Sequence, residues 1–191
     1  MKVSHIFTKK QIIIEQESNQ YEVRKIMLTD NNELQKFADF YNMAGQLSWQ
    51  LNPSRIKSKI GTKGRLWGLY IKDSDMLVGT IAVKEIETEL GEVGYLMLDP
   101  DHRSFKNVMT LYRVILKYSR KFESVYITTN IKNKTINKLL DKTEKIEKMF
   151  MAKSQFGGGA NLLYVWIVKT GRENPERIRE YFNTNIIQEI E

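Results

Sequence analysis

Residues 95–130 constrain the fold of this chain more than any other segment. Their sequence, YLMLDPDHRSFKNVMTLYRVILKYSRKFESVYITTN, passes from an apolar stretch through a Pro-Asp-His-Arg turn into a helical pattern, and it ends in a β-branched stretch at 124–130. The helical pattern places Lys and Arg on one face and apolar residues on the other, namely Val108, Leu111, Tyr112, Ile115 and Leu116. Two strands that flank a helix of this length form a crossover unit, so these strands are predicted to be parallel neighbours.

The segment before this unit contains two predicted helices and several strands. Residues 21–28 alternate in the manner of a strand, and the helical pattern that follows has Thr29 or Asp30 as its N-cap. A short second helix is predicted between Pro53, which suits a first helical position, and Gly61, which suits a helix end. Strand candidates then follow each other closely, so they are expected to pair antiparallel.

A polar turn at 73–75 marks the hairpin between two of these strands. After the crossover unit come a helix with Asn133 as its cap, two closing strands and a terminal helix. The sequence therefore predicts a single α/β domain over residues 1–191 with a mixed sheet and the element order β-α-α-β-β-β-α-β-α-β-β. The core is predicted at about 21–170 and a C-terminal helix at 172–191.

Composition excludes several classes of site. The 191 residues are 41% apolar and 28% charged, which is typical of a globular domain with its own core. With no cysteine and only two histidines, the chain has no disulfide, no thiolate ligand and no multi-histidine metal site, so no metal is predicted. No apolar run approaches the roughly 20 residues that cross a bilayer. A cytoplasmic protein without a membrane partner is expected.

The chain is basic, with 30 Lys and Arg against 23 Asp and Glu and a net charge of +7. Such a field favours encounter with polyanions. A basic segment lies close in sequence to Trp49 and Trp67, and a surface that combines cations with stacking rings is typical of nucleic-acid binding. The alternative is a solvated basic helix. The basic residues concerned are Arg55, Lys57, Lys59, Lys63 and Arg65.

The segment QFGGGAN, residues 155–161, contains three consecutive glycines between the two closing strands. Glycine runs carry a high entropic cost when they are ordered. One interpretation is a loose hairpin turn. The other is a flexible loop that admits a bulky acceptor or brings backbone amides close to a nucleotide.

The element order, with YLMLDPDHRSFKNVMTLYRVIL at its centre, resembles the GCN5-related N-acetyltransferase (GNAT) fold from about residue 21 to residue 170. The resemblance implies that acetyl-CoA or another acyl-CoA is the cofactor. Leu96, Met97 and Leu98 match the strand whose backbone binds the pantetheine arm, and Pro100-Asp101-His102-Arg103 resembles the family's Pro-x-[Tyr/His]-Arg segment. The resemblance further implies a set of polar residues that bind the cofactor: Arg103, Ser104, Lys106, Asn107 and Asn133.

The sequence departs from the family pattern at defined positions. The two glycines of the pyrophosphate turn fall on Lys106 and Val108, although Lys106 could offer its charge to a phosphate. The helix motif N-x-x-A-x-x-L-Y is matched by Asn133, Ile136, Leu139 and Leu140, so a leucine stands where the family has its proton-donating tyrosine. Thr143 and Glu144 replace the usual Gly-Phe.

Acyl transfer to an amine needs a base, and two residues are candidates. Glu92 begins the strand that resembles the pantetheine strand, where the family often places a base. His102 could act as a base or contact a phosphate, or it could simply pack. Glu85, Glu87 and Glu89 alternate on one face of their strand and indicate a solvated edge.

Two functions follow from these observations. The first is an acyltransferase that moves an acyl group from acyl-CoA to an amine, on a protein or on a nucleic acid as in the Mom type of phage DNA modification. The second is a GNAT-shaped protein without catalysis that binds nucleic acid or a protein partner. The missing glycines and tyrosine favour the second function.

Overall fold

A computed structural model describes residues 20–44, 50–154, 161–184 and 188–190 of the chain. The strands of these segments form one mixed sheet in the order β1-β2-β3-β4-β5-β7-β6-β8. Their bounds are β1 Tyr21–Ile26, β2 Arg65–Ile71, β3 Met76–Glu87, β4 Leu90–Leu98, β5 Ser124–Asn130, β6 Ile146–Ser154, β7 Asn161–Val168 and β8 Gln188–Ile190. Strand β4 pairs parallel with β5, as the crossover unit predicts. The other neighbouring strands pair antiparallel.

The helices begin where polar side chains cap their first turns. Their bounds are α1 Asn31–Ala44, α2 Pro53–Ile60, α3 Phe105–Tyr118, α4 Lys134–Asp141 and α5 Pro175–Thr184. The carboxylate of Asp30 accepts from the amide of Glu33 at 3.1 Å, which confirms Asp30 as the cap of α1. The side chain of Asn133 accepts from the amide of Ile136 at 3.2 Å and caps α4 in the same way.

The two faces of the sheet bury different helices. Helices α3 and α4 cover one face, where the core includes Trp67, Val125 and Trp166. On the other face, α1 and α2 cover β1 to β3, and α5 covers the strands beyond β4. Successive side chains of a strand point to opposite faces, so the alternation along each strand assigns its residues to one layer or the other. No helix in the described parts of the chain is both long and apolar enough to cross a bilayer.

The predicted C-terminal helix at 172–191 is too long. Helix α5 ends at Thr184, and Gln188–Ile190 forms β8, which pairs antiparallel with β6. The physical reason for the strand at Gln188–Ile190 is that β6 would otherwise form the edge of the sheet. Without β8, the outer backbone groups of β6 at Met151–Lys153 would have no strand partner, and a short strand from the chain terminus fills these positions.

Burial of Tyr126 generates a prediction about stability at high pH. Tyr126 is 3% exposed beneath Tyr181 and Phe182 of α5, and burial raises its pKa. The unfolded chain ionises its tyrosines near pH 10, whereas folded Tyr126 stays neutral, so its contribution to stability is complete below pH 10 and is lost as the pH rises further. Between pH 10 and 11, the free energy of unfolding should fall by about 1 kcal/mol more in the wild type than in Tyr126→Phe. Urea unfolding at several pH values measures this difference. Parallel pH profiles would contradict it.

Candidate functional site

A cleft of about 1120 Å³ opens between β4 and β5, with α3 and α4 on its sides. The cleft exists because the parallel ladder is short. The described pairing of β4 with β5 runs from Leu90 and Ser124 to Val93 and Ile127. Beyond Val93 the two strands line opposite walls of the cleft, so the backbone polar groups of β4 on that side face open space rather than a strand.

A bulge in β4 lies next to the point where the strands separate. The register of β3 and β4 shifts between the pairs Thr80–Met97 and Ala82–Gly94, so β4 carries an extra residue there. Tyr95 lies in this bulge with φ of +53°, a conformation that costs a non-glycine residue about 1–3 kcal/mol. The hydroxyl of Thr80, which is fully buried, donates to the carbonyl of Tyr95 at 2.7 Å and fixes the bulge.

A charged pair marks the inner end of the cleft. Glu92 of β4 and Lys84 of β3 face each other across the ladder, with 2.5 Å between a carboxylate oxygen and the ammonium nitrogen. Their side chains are 19% and 21% exposed, and both residues line the cleft. Gly94 leaves the room for this pair, because a Cβ there would lie 2.6 Å from Cε of Lys84.

Two tyrosines border the same end from the face of the sheet that α1 and α2 cover. The rings of Tyr41 and Tyr95 meet edge to face at 5.2 Å, and both residues line the cleft. Burial raises the pKa of Tyr41, and burial also raises the pKa of Tyr95 to about 12, with the charge of Glu92 adding to both shifts. Both hydroxyls are therefore protonated at neutral pH and can donate hydrogen bonds there.

The other end of the cleft is basic. Arg103 lies in the turn before α3, where its Nε donates to the carbonyl of Leu98 at 3.2 Å. Lys138 of α4 and Lys142, the residue that follows the end of this helix, also line the cleft. Ser104 caps α3 by accepting from the amide of Asn107, and the first-turn amides of α3 point out of the helix toward this end. Cations and a helix N-terminus favour anions such as phosphate groups.

Most of the predicted site residues come together in this cleft. Its lining includes Glu92, Leu96, Met97, Leu98, Arg103, Ser104 and Asn133. Three predicted residues lie outside the lining: His102, Lys106 and Asn107. Asn107 is 5% exposed and donates through Nδ2 to the carbonyl of His102 at 2.8 Å, and Nδ1 of His102 lies 2.9 Å from the hydroxyl of Tyr21. These contacts hold the turn against β1.

The structure disperses the basic segment of α2 and the loop that follows it. Lys59 lines the cleft, whereas Lys57 donates to Asn31 and Lys63 pairs with Glu89 at 2.5 Å. Arg65 donates to the backbone carbonyls that follow α2, and Arg55 donates to the carbonyl of Gln50.

Trp67 does not belong to any stacking surface. It is 8% exposed in the core beside Tyr118, so the prediction of a surface ring at this position is wrong. Trp49 and the glycine segment at 155–160 lie outside the described residues.

Sequence reasoning missed several lining residues. The position of Lys84 in the cleft depends on the register of β3 against β4. A bulge shifts this register by one residue, and no local sequence pattern reveals the shift. Phe105, Val108 and Tyr112 form one stripe of α3 along the cleft, and their i, i+3, i+7 spacing is the same one that predicts a core face. Only a weak pattern in the sequence pointed to Lys138 as a lining residue: it lies four residues before Lys142 on a predicted helix, so the two cations share one face.

Removal of the Thr80 hydroxyl tests how the bulge is held. Thr80→Val leaves the carbonyl of Tyr95 without the donor that the fully buried Thr80 provides, which should lower the free energy of unfolding by about 1–3 kcal/mol. Thr143→Val is the control, because Thr143 makes a similar bond to the carbonyl of Leu139 in a half-buried position that water can reach. Urea unfolding measures both variants. Equal losses would contradict a special role for the bulge bond.

No protein-family model matches this sequence, and no curated protein sequence matches it. Solved structures do match. A probable acetyltransferase from Staphylococcus epidermidis aligns with a TM-score of 0.63 at 14% identity over 78% of this chain and 99% of its own. The ribosomal-protein-S5-alanine acetyltransferase from Vibrio fischeri aligns with a TM-score of 0.62 at 15% identity over 81% and 96%. The spermidine/spermine N-acetyltransferase SpeG from Vibrio cholerae aligns with a TM-score of 0.61 at 14% identity over 87% and 97%. The fold of this chain is that of the GNAT acetyltransferases.

Proposed function

We propose that this protein is an N-acyltransferase that moves an acyl group from acetyl-CoA, or another acyl-CoA, to an amine. One observation carries the proposal. The cleft between β4 and β5 is lined by Arg103, which follows the C-terminal end of β4, and by the carboxylate of Glu92, which lies near the other end of this strand. An extended thioester with phosphate groups at one end fits this distribution of charge.

The residues of the basic end fit a phosphorylated cofactor. Arg103 and the first-turn amides of α3 would bind the pyrophosphate, and Lys138 and Lys142 would bind further phosphate charge. The open backbone groups of β4 beyond Val93 would bind the amides of the pantetheine arm, as an added strand would. When bound, the cofactor supplies an activated acyl group as its thioester.

The missing glycines are compatible with this fit. Lys106 and Val108 lie within a regular helix that Ser104 caps, so neither position needs the left-handed backbone that favours glycine. Val108 lines the cleft together with Leu96 and offers an apolar wall. The phosphate contacts are therefore assigned to side chains and helix amides rather than to a glycine turn.

The residues of the inner end fit acid–base chemistry on an amine. Glu92 accepts a proton from the ammonium form of the acceptor, which frees the nitrogen lone pair. Lys84 holds the carboxylate at the wall of the cleft, and Tyr41 and Tyr95 donate hydrogen bonds to the acceptor. The backbone amides of β4 that do not pair with β5 are available to stabilise negative charge on the carbonyl oxygen.

The proposed acceptor is an amine without further definition. The solved structures above name a protein alanine in one case and spermidine or spermine in another. A nucleic-acid acceptor stays a prediction. The presence of Lys59 in the lining of the cleft favours it, and the dispersed positions of the other four basic residues do not, namely Arg55, Lys57, Lys63 and Arg65.

Calorimetry with acetyl-CoA and with desulfo-CoA tests the cofactor. Both ligands should bind the wild type, and Arg103→Ala should weaken binding about tenfold because a charged hydrogen bond to phosphate is lost. Arg113→Ala is the matched control, since Arg113 is an exposed arginine of α3 outside the cleft. Absence of binding to the wild type at high ligand concentration would refute the proposed function and leave the binding protein without catalysis as the alternative.

Substitution of Glu92 tests the base. Glu92→Gln should lower kcat about a hundredfold and leave the affinity for acetyl-CoA unchanged, because the amide cannot accept the proton. Thiol release is measured with a panel of amines: a peptide with a free N-terminus, spermidine and duplex DNA. Glu87→Gln, an exposed residue at the end of β3, should retain the wild-type rate. A Glu92→Gln variant as active as Glu87→Gln would exclude Glu92 as the base.

A further inference from the structure

The proposed reaction leaves one proton unassigned. The sulfur leaves as a thiolate, and a donor close to it lowers the cost of breaking the bond. Leu140 stands at the position of the family's tyrosine, is fully buried in the core and cannot donate. The inference below rests on the proposed function and concerns this missing donor.

Tyr112 lies on the stripe of α3 that lines the cleft, seven residues after Phe105. Helix α3 runs antiparallel to β4, because it is the crossover between two parallel strands. Seven residues of helix rise by about 10 Å, as do about three residues of a strand. Counted back from Leu98 at the end of β4, this depth places Tyr112 level with the bulge at Tyr95.

The hydroxyl of Tyr112 is available at that depth. The side chain is 2% exposed, packs in the same cluster as Val93, Ile127 and Leu139, and lines the cleft. Its hydroxyl forms no hydrogen bond with the residues that the structure describes. Among those residues, the enclosed polar atoms that lack a partner do not include this oxygen, so solvent can reach it. The oxygen therefore reaches the cleft.

Tyr112 also approaches from the appropriate face of the sheet. Tyr41 and Tyr95 border the cleft from the face of α1 and α2, beside Glu92 and Lys84. Tyr112 borders it from the face of α3 and α4, beside the apolar residues of the pantetheine-like strand. Burial raises the pKa of Tyr112, so its hydroxyl is protonated throughout the neutral range.

We propose that the hydroxyl of Tyr112 donates a hydrogen bond to the thioester sulfur and gives its proton to that sulfur when the acyl group is transferred. The amine nitrogen forms a bond to the carbonyl carbon, the carbon–sulfur bond breaks, and the sulfur leaves with the electron pair and takes the Tyr112 proton. Glu92 takes one proton from the ammonium before the attack and releases it to solvent. It takes the second proton from the nitrogen as the carbon–nitrogen bond forms, and this proton returns to the Tyr112 phenolate through water in the cleft. The products are an amide and a thiol.

The ionisation of bound CoA tests this role without any acceptor. A donor to the sulfur stabilises the thiolate, so the thiol pKa of CoA bound to the wild type should lie about one unit below that of CoA bound to Tyr112→Phe. Thiolate absorbance is titrated in each complex, and the same titration with desulfo-CoA is subtracted to remove the tyrosines. Because the Tyr112 hydroxyl has no partner among the described residues, its removal should leave folding intact, which thermal unfolding checks.

Tyr118→Phe is the matched control, since Tyr118 lies on α3 and its hydroxyl donates to the carbonyl of Lys63 outside the cleft. Its complex should titrate like that of the wild type. Equal thiol pKa values in Tyr112→Phe and wild-type complexes would overturn the assignment of Tyr112 while CoA binding still supports the proposed function. Failure of the wild type to bind CoA would overturn both.

Discussion

The early end of the β4–β5 ladder is the constraint on which the rest of the structure depends. A parallel pair that continued past Val93 and Ile127 would close the sheet and leave no cleft. The bulge at Tyr95, fixed by Thr80, holds one wall. The opposite wall is held by Asn137 of α4, whose Nδ2 donates to the carbonyl of Asn130, the last residue of β5. The separation of β4 from β5 is thus maintained by contacts with the neighbouring elements β3 and α4.

The gap between β4 and β5 connects the two faces of the sheet, and charged side chains line it from both faces. Arg103 lies in the turn before α3, while Lys84 and Glu92 line the cleft from the face that α1 and α2 cover. In the proposed reaction, the cofactor and the acceptor approach from these two sides and meet at the bulge. The shape of the site follows from the sheet, and its chemistry follows from side chains on several elements.

The sequence predicted those features that are local in the chain. The crossover unit, the caps at Asp30 and Asn133 and the lining by Leu96 to Leu98 follow from periodicity and turn chemistry within short windows. The pair of Lys84 and Glu92 could not be predicted, because it depends on a shifted register between strands. The position of Tyr112 in the cleft could not be predicted, because a helical residue that faces a cleft has the same sequence spacing as a residue that faces the core.

The aromatic contacts around Tyr95 join helix α1 to the strand that forms one wall of the cleft. Phe37 and Tyr41 of α1 stack on each other with ring centroids 6.0 Å apart, and both meet Tyr95 edge to face. Helix α1 and the strained residue of β4 therefore form one packed unit. If a segment containing α1 were exchanged for that of another protein with this fold, the backbone geometry at Tyr95 would change with it, so a change in α1 cannot leave this wall of the cleft unaltered.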